Sequence, residues 1–213
     1  MTTGYDGLGK RLFATWYDIL NAGVEGRVIP FRRETAGVTS GSVLEIGGGT
    51  GANLPYYPDD VRLTFLEPNP HMVRKLQGNA DRQGREVTIV PGFGESMPFD
   101  DGTFDCVLTT LVLCMVTDVG AVVREARRVL KPGGRFLFYE HVVSSHRWAS
   151  RWQTWANPPW RFFTTGCNLD RDIAGDIERA GFENVDYRQF SLSVGVPIKI
   201  PNIVGVATRD KAS

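Results

Sequence analysis

The glycines at positions 47, 48, 49 and 51 carry the clearest chemical signal in the chain, because they directly follow a strand-like segment at 42–46. Glycine adopts positive φ without strain and, having no side chain, lets a ligand approach the backbone closely. A glycine-rich loop at the end of the first strand of a doubly wound sheet lies at the switch point where nucleotides bind. We therefore predict that Gly47, Gly49 and Gly51 contact a nucleotide-like ligand and do more than form a tight turn.

The spacing and charge around this loop limit which class of nucleotide-like ligand can bind. Dinucleotide enzymes favour G-x-G-x-x-G, whereas here the third glycine of the pattern, Gly51, comes one residue early. Glu45 would be unfavourable beside a pyrophosphate but suits the amino group or sulfonium of S-adenosylmethionine. No G-x-x-x-x-G-K-[ST] sequence occurs, which excludes a P-loop. The loop therefore predicts a cationic nucleotide-like cofactor such as S-adenosylmethionine.

Other polar residues follow the next two predicted strands. Glu67 ends the second strand, where an acid accepts the ribose hydroxyls of a nucleotide. Gly94, Glu95 and Ser96 follow the third strand, where an adenine ring would lie. Asn53 is either a partner for the amino-acid end of the ligand or a helix N-cap. We predict that all five residues contribute to the cofactor site.

The elements that position these residues alternate along the chain. Short apolar segments predict strands at 42–46, 61–66, 87–90, 104–108, 135–139, 184–192 and 198–207. Helical spacing predicts helices at 8–22, 25–36, 70–82, 119–130 and 171–180, and a partly helical segment at 145–170. This order predicts an α/β fold, a Rossmann-like doubly wound sheet of seven strands, mostly parallel with an antiparallel last strand. We expect residues 1–213 to form one domain with a helical cap built from 1–37 and 145–170.

Composition excludes several other classes of protein. Lys and Arg together number 24, as do Asp and Glu, and a net charge of zero argues against binding of nucleic acid through bulk charge. Three cysteines without C-x-x-C spacing predict neither a disulfide framework nor a metal site, and they favour a cytoplasmic location. No signal peptide or membrane-spanning segment is predicted. Peripheral membrane contact through the helix at 8–22 stays open, and no oligomeric state is predicted.

Together, several motifs resemble the class I S-adenosylmethionine-dependent methyltransferases: the loop at 45–51, Glu67, and the segments 97–99 and 130–134. A narrower resemblance, over about residues 40–206, is to the methyltransferase-like family that methylates alkyl thiols; it is carried by the segments 67–70, 110–114, 140–142, 152–153, 159–160 and 166–171. This resemblance implies a thiol acceptor and cofactor contacts for Pro68, Met72, Thr110 and Leu111. The sequence departs from the family at Gly48, where cysteine is usual, and at Ser96, where an acid is usual.

The chemistry of such a reaction makes modest demands on the protein. Methyl transfer from a sulfonium is an in-line displacement, so the enzyme mainly aligns the reacting atoms. A thiol reacts as its thiolate, so a nearby base would help. His141, with Glu140 beside it at the end of the fifth strand, is our candidate catalytic residue. The alternative is a buried histidine whose hydrogen bonds are satisfied.

The predicted acceptor site lies beyond the fourth and fifth strands. Cys114 is either a core thiol or part of the substrate wall. Trp148, Trp152 and Trp155 share one helix face, which either packs on the core or forms an apolar lid. The remaining predicted contacts to the acceptor are Trp16, Trp160, Asn168 and Arg171, although Arg171 could instead form a salt bridge at a helix start.

The residues leave three possible functions open. The first is S-methylation of a small apolar thiol. The second is C-, O- or N-methylation of a quinone-type or phospholipid acceptor, and the third is cofactor binding without catalysis. The Asn-Pro-Pro-Trp sequence at 157–160 resembles a motif of enzymes that methylate bases. It follows the fifth strand instead of the fourth, so no nucleic-acid substrate is predicted.

Overall fold

A seven-stranded sheet with the order β3-β2-β1-β4-β5-β7-β6 forms the centre of the protein. The computed structural model describes residues 26–163, 166–193 and 199–211. The strands are β1 (Ser42–Ile46), β2 (Arg62–Leu66), β3 (Val87–Val90), β4 (Phe104–Thr110), β5 (Leu130–His141), β6 (Asn184–Ser193) and β7 (Lys199–Thr208). The first five are parallel, and β7 runs antiparallel between β5 and β6. This order confirms the predicted Rossmann-like fold.

Helices cover the sheet, and their starts follow from local capping. The helices are α1 (26–35), α2 (Pro70–Arg82), α3 (Val119–Val129), α4 (Arg147–Phe163) and α5 (Ile173–Arg179). Asn69 accepts a hydrogen bond from the backbone of His71 at the start of α2, and Asp118 accepts one from Ala121 at the start of α3. The helix predicted at 8–22, and with it Trp16, lies outside the described residues.

Alternating side chains of the strands supply two cores, one on each face of the sheet. On β4 and β5, Val107, Phe136 and Phe138 join the core under α3 and α5. Cys106 and Leu137 join the opposite core, which is shared with α2. Because both faces are covered, a ligand can reach the strands only at their ends.

Two connections differ from the sequence prediction. Strand β5 begins at Leu130, five residues early, because a register shift between β4 and β5 absorbs the Lys-Pro-Gly-Gly segment 131–134 as a bulge. Gly133, at φ 74°, supplies the conformation that this bulge requires. Between β1 and β2, where no helix is predicted, the described chain forms a 3-10 turn at Leu54–Tyr56.

No helix within the described ranges is both long and apolar enough to cross a membrane. The longest of the helices with printed bounds is α4, and it carries arginines at positions 147, 151 and 161. These charges interrupt any apolar stretch that a bilayer span would require.

Candidate functional site

A cleft of about 370 Å³ opens at the carboxyl ends of β1, β2, β3 and β4. Its walls come from the loops that follow these four strands, as expected for the switch point of a doubly wound sheet. The lining residues are Ile46, Gly47, Gly49, Leu66, Glu67, Pro68, Asn69, Met72, Gly92, Phe93, Gly94, Glu95, Leu111, Val112, Met115, Val116 and Thr117.

Two positions of the glycine loop after β1 require glycine for different reasons. Gly49 has φ 55°, and a Cβ added there would meet only the Gly47 carbonyl oxygen, at 3.9 Å. Gly51 has φ 81°, and its added Cβ would approach Leu54 and Leu76 to 2.6 Å. Gly49 therefore faces open space at the cleft, whereas Gly51 permits close packing behind it.

The Glu67 carboxylate is fixed at the mouth of β2 by the backbone. Its Oε2 accepts a hydrogen bond from Gly49 N at 2.9 Å, and its Oε1 accepts one from Asn69 N at 2.9 Å. Burial raises the pKa of this carboxyl above its ordinary value, against the effect of the two backbone donors. An ionised carboxylate has about four acceptor positions, so two remain for a ligand. Adjacent hydroxyl groups of a ribose match this pair.

Glu45 lies behind the loop and does not line the cleft. Its Oε2 accepts from the Tyr57 hydroxyl at 2.6 Å and its Oε1 accepts from Asn53 Nδ2 at 2.9 Å. Asn53 also donates to Thr110 Oγ1 and accepts from Arg32, so it makes no helix cap. Burial raises the pKa of Glu45 to about 7. The structure thus gives this network the role of supporting the loop from within.

The loop after β3 is joined to the segment after β4. Gly94 and Glu95 line the cleft, and Glu95 Oε1 accepts a hydrogen bond from Thr117 N at 2.7 Å. Ser96 lies outside the lining, and its backbone N donates to Phe93 O at 3.3 Å. Phe93 is half exposed at the cleft, so its ring forms one apolar wall for a flat ligand.

Leu111 forms the opposite wall in an uncommon backbone conformation. Its φ of 56° is the only positive value at a non-glycine residue in the described ranges. Its backbone N donates to Tyr139 O at 2.8 Å, which fixes the turn that leaves β4. Val112, Met115 and Val116 continue this apolar wall. A strained turn held by neighbouring strands is a frequent feature of binding sites.

The predicted cofactor residues thus divide into two groups. Those that line the cleft are Gly47, Gly49, Glu67, Pro68, Met72, Gly94, Glu95 and Leu111, and those that do not are Glu45, Gly51, Asn53, Ser96 and Thr110. Lining residues that the sequence pattern did not indicate include Asn69, Phe93, Met115, Val116 and Thr117. Their position in the segments that follow β2, β3 and β4 was the one available signal.

Glu140 and His141 end β5 and point to different partners. Both Glu140 oxygens lie within 3.1 Å of the Val112 backbone N, and Oε2 also accepts from Leu113 N at 3.2 Å. Glu140 is fully buried, and this burial raises its pKa to about 7. His141 Nε2 lies 2.8 Å from Cys167 Sγ. Glu140 therefore holds the wall of the cleft, while His141 faces a thiol of the same chain.

Cys114 lies in the same buried group as His141. Its sulfur is 3.5 Å from Cys167 Sγ, and Asn168 donates to its carbonyl oxygen from both the backbone N and Nδ2. Hydrogen bonding with Cys114, together with His141, lowers the pKa of the Cys167 thiol. Of the predicted acceptor contacts, Cys114 and Asn168 are brought together here. The backbone of Arg171 accepts from Val143 N nearby.

The tryptophan face of α4 does not pack on the core. Trp148 is 77% exposed and Trp155 is 80% exposed, with Trp152 at 40%. Gln153 faces inward instead, because its amide binds Ser144 N and the carbonyls of Val142 and Leu169. The interpretation that these three rings pack on the core is therefore wrong. Trp160, in contrast, packs partly on the core, and its Nε1 donates to Cys167 Sγ at 3.4 Å.

Comparison with known proteins agrees with the fold. The profile of the methyltransferase domain family matches residues 44–138. Thiol S-methyltransferase TMT1B of Homo sapiens is 37% identical over 174 residues, which cover 79% of this chain and 70% of that protein. The ubiquinone/menaquinone biosynthesis C-methyltransferase UbiE of Klebsiella pneumoniae is 28% identical over 212 residues, 84% of this chain and 80% of that protein.

A solved S-adenosylmethionine-dependent methyltransferase from Thermotoga maritima shares the fold, with a TM-score of 0.68 at 19% identity over 92% of this chain and 95% of that chain. The order of the strands, the cleft at their carboxyl ends and the identity with TMT1B all lead to the same assignment. The chain belongs to the class I S-adenosylmethionine-dependent methyltransferases, in the same family as thiol S-methyltransferase TMT1B.

Proposed function

We propose that this methyltransferase methylates the sulfur of a small, apolar thiol. The observation that carries the proposal is the 37% identity with thiol S-methyltransferase TMT1B. That match spans 174 residues, many more than the methyltransferase domain at 44–138, so it includes segments outside the part that binds the cofactor. The cofactor cleft is built from the loops after the first four strands. We therefore expect the segments outside it to determine which acceptor binds.

We infer that the cleft holds S-adenosylmethionine. The residues present fit it, since Glu67 keeps two acceptor positions for the ribose hydroxyls and Gly49 leaves its backbone open. Phe93 and Leu111 lie on the walls of the cleft, where they would contact the adenine and the adjoining chain. When bound, S-adenosylmethionine supplies an electrophilic methyl group on a positively charged sulfur.

The acceptor would bind beyond the segment 111–116, at the side where β5 ends. Val112 and Met115 make this segment apolar, and the buried Glu140 carboxylate holds its backbone in place. These features favour a small apolar acceptor and exclude water from it. The chain's contribution to catalysis is then alignment of the acceptor, which agrees with an already activated donor.

We also propose that residues 1–213 form one domain located in the cytoplasm. Helix α1 supports the first point, because Phe31 stacks on Tyr139 of β5 with ring centroids 4.9 Å apart. The three cysteines support the second, because all are free and buried thiols, as is usual in a reducing compartment. The cap would then consist of α1, α4 and the segments that flank them.

A C-methyltransferase acting on a quinone is the second candidate. The observation that favours it is the match to UbiE, which covers 84% of this chain, although at only 28% identity. The exposed Trp148 and Trp155 would also suit contact with a lipid-like acceptor. A quinone head group offers a carbon acceptor, so the two candidates differ in the atom that is methylated.

Purified full-length protein, incubated with labelled S-adenosylmethionine and a panel of alkyl thiols, quinols and amino lipids, tests the proposal. Label on thiols alone supports it, and label on quinols or lipids alone contradicts it. Gly49→Ala should reduce transfer at a limiting cofactor concentration, whereas Gly84→Ala, at another glycine with positive φ and open surroundings, should retain it. Binding of the cofactor without transfer to any of the acceptors would also contradict the proposal.

A further inference from the structure

Three side chains that are typical metal ligands meet at the end of β5. The Cys114 sulfur, a ring nitrogen of His141 and the Cys167 sulfur all lie within 4.8 Å of one another. Cys167 Sγ is 3.5 Å from Cys114 Sγ and 2.8 Å from His141 Nε2. All three residues are buried. The group comes from the loop after β4, the last residue of β5 and the loop after α4.

One atom of this group is not satisfied by the surrounding chain. His141 Nδ1 is buried and has no hydrogen-bond partner among the described residues. Most buried polar atoms have a partner, because leaving one unpaired costs about 1–3 kcal/mol. The other ring nitrogen, Nε2, lies 2.8 Å from Cys167 Sγ and faces the thiols. An ion between the two thiols would therefore bind Nε2, and Nδ1 would remain on the other side of the ring.

The distances are close to those that a tetrahedral zinc ion requires. Bond lengths of about 2.3 Å to sulfur and about 2.0 Å to nitrogen place two sulfurs about 3.8 Å apart, and sulfur and nitrogen about 3.5 Å apart. The Cys167 sulfur, at 3.5 Å from Cys114 and 2.8 Å from His141, needs only small side-chain rotations to reach this arrangement.

The surrounding hydrogen bonds hold these three residues in register. Asn168 donates to the Cys114 carbonyl oxygen through its backbone N at 3.0 Å and its Nδ2 at 2.9 Å, which joins the loop of Cys167 to that of Cys114. Glu140, next to His141, binds the backbone at Leu113, next to Cys114. Such supporting contacts around metal ligands fix their orientation. The group is therefore held in place before any ion enters.

We propose that Cys114, His141 and Cys167 bind a zinc ion whose fourth position takes the acceptor thiol. Zinc suits two thiolates and an imidazole, and three protein ligands with one open position are typical of catalytic zinc sites. The two thiolates balance the double positive charge of the ion, so the buried site is neutral overall. Cys114 lies in the chain between Val112 and Met115, which line the cofactor cleft, so the site is next to the wall of that cleft.

The acceptor part of this inference rests on the proposed thiol methylation, whereas the binding of zinc does not. In the ligand exchange, the acceptor thiol releases its proton to water and its sulfur forms a bond to zinc in place of the bound water. No atom changes oxidation state, and the sulfur keeps a lone pair for attack. A metal-bound thiol is present as its thiolate at neutral pH, which removes the requirement for a protein base.

The direct test is metal analysis of the purified wild-type protein after incubation with zinc and removal of the excess. We expect about one zinc per chain, as for other sites with this ligand number. Cys114→Ser and Cys167→Ser should retain little of it. Cys106→Ser is the matched control, because Cys106 is equally buried but lies in the core on the opposite face of the sheet. Wild-type protein that binds no zinc, or Cys114→Ser protein that binds as much as wild type, would overturn the proposal.

Cobalt substitution gives a second readout that does not depend on the folding of a variant. Cobalt in the wild-type site should show thiolate-to-metal charge-transfer bands and the visible bands of a tetrahedral site, and a small alkyl thiol should shift them. If alkyl thiols leave the cobalt absorption bands unchanged, the acceptor part of the proposal is overturned. If metal-free protein methylates thiols at the full rate, the proposed function stands and the acceptor part of the zinc inference fails. If the protein binds the metal but methylates no thiol, the zinc site stands and the proposed function fails. A Cys114–Cys167 disulfide in fresh protein that still binds no zinc after reduction would also refute the site.

Discussion

Replacement of Gly49 by alanine tests whether the cleft binds the cofactor, because the change adds a single methyl group at its wall. Gly49 has φ 55° and its added Cβ would meet no heavy atom nearer than the Gly47 oxygen at 3.9 Å. The substitution therefore causes no clash within the protein. Its methyl group points into the space that the ligand would need, beside the Glu67 carboxylate that Gly49 N binds.

The expected loss of stability is small and can be worked out from the backbone. An L-residue in the left-handed region costs about 1–2 kcal/mol. Loss of glycine's freedom in the unfolded chain returns about 0.4–1 kcal/mol, which leaves a net cost of about 1 kcal/mol. For a chain of this size, such a change lowers Tm by roughly 2–4 °C. Gly84→Ala should show the same shift, because Gly84 has φ 62° and no heavy atom within 4 Å of its added Cβ.

The expected loss of binding is larger and specific to Gly49. A ligand displaced by the methyl group loses a hydrogen bond to the charged Glu67 carboxylate, which costs about 1.5–3 kcal/mol. Kd for S-adenosylmethionine should therefore rise about 10- to 150-fold. Titration calorimetry on the wild type and the two alanine variants, with thermal melts of each, measures both quantities. Equal affinity in Gly49→Ala and wild type refutes the assignment of the cleft, and equal weakening in Gly84→Ala shows that stability alone is responsible.

Three further substitutions test other parts of the structure. Glu67→Gln should raise Kd for S-adenosylmethionine about tenfold, because the new amide NH₂ faces one of the two backbone N–H donors and the side chain offers fewer acceptor positions to the ligand. An unchanged Kd in equilibrium dialysis would contradict this prediction. Glu45 has its pKa raised to about 7 by burial, so the folded state holds a proton that the unfolded chain releases, and wild-type stability falls as pH rises from 4.5 to about 7. Glu45→Gln can still bond Asn53 and Tyr57 but has no proton to release, so its stability does not fall over this pH range. In urea unfolding, its free energy of unfolding relative to wild type should therefore be more favourable at about pH 8 than at about pH 5. The same difference from wild type at both pH values would contradict this prediction. Phe138→Ala removes a fully buried ring and should lower the free energy of unfolding by about 3–5 kcal/mol, and a loss below about 1 kcal/mol would contradict its place in the core.

Elements with strong local signals were predicted closely from the sequence. Helix α2 has the predicted bounds, 70–82, because Asn69 caps it and Pro70 suits its first turn. Strands β1 and β3 also match, since short apolar runs between turn residues leave few alternatives. The start of β5 did not match, because Pro-Gly-Gly is typical of a turn and only pairing with β4 reveals the bulge. Local pattern thus predicts elements, whereas pairing across the sheet decides their ends.

The site was less predictable, because its contacts join distant parts of the chain. Glu45 was expected to face the ligand, but Tyr57 folds back over it through a turn that no pattern indicates. The group of Cys114, His141 and Cys167 has no motif spacing, since His141 and Cys167 are 26 residues apart and belong to different elements. Glu67 was predictable because its position depends only on the end of one strand. Residues whose role depends on tertiary contacts need the structure.

The order of the lining residues along the chain has a consequence for how this protein can change. Every described residue that lines the cleft lies between Ile46 and Thr117, whereas α4 and the loop of Cys167 come after β5. The stretch that lines the cleft therefore precedes His141 and Cys167, although it includes Cys114 and the segment 111–116 at the proposed acceptor side. Substitutions or insertions beyond residue 141 can alter part of that acceptor side while the cleft-lining stretch keeps its sequence. Diversity among such enzymes can thus accumulate at one end of the chain.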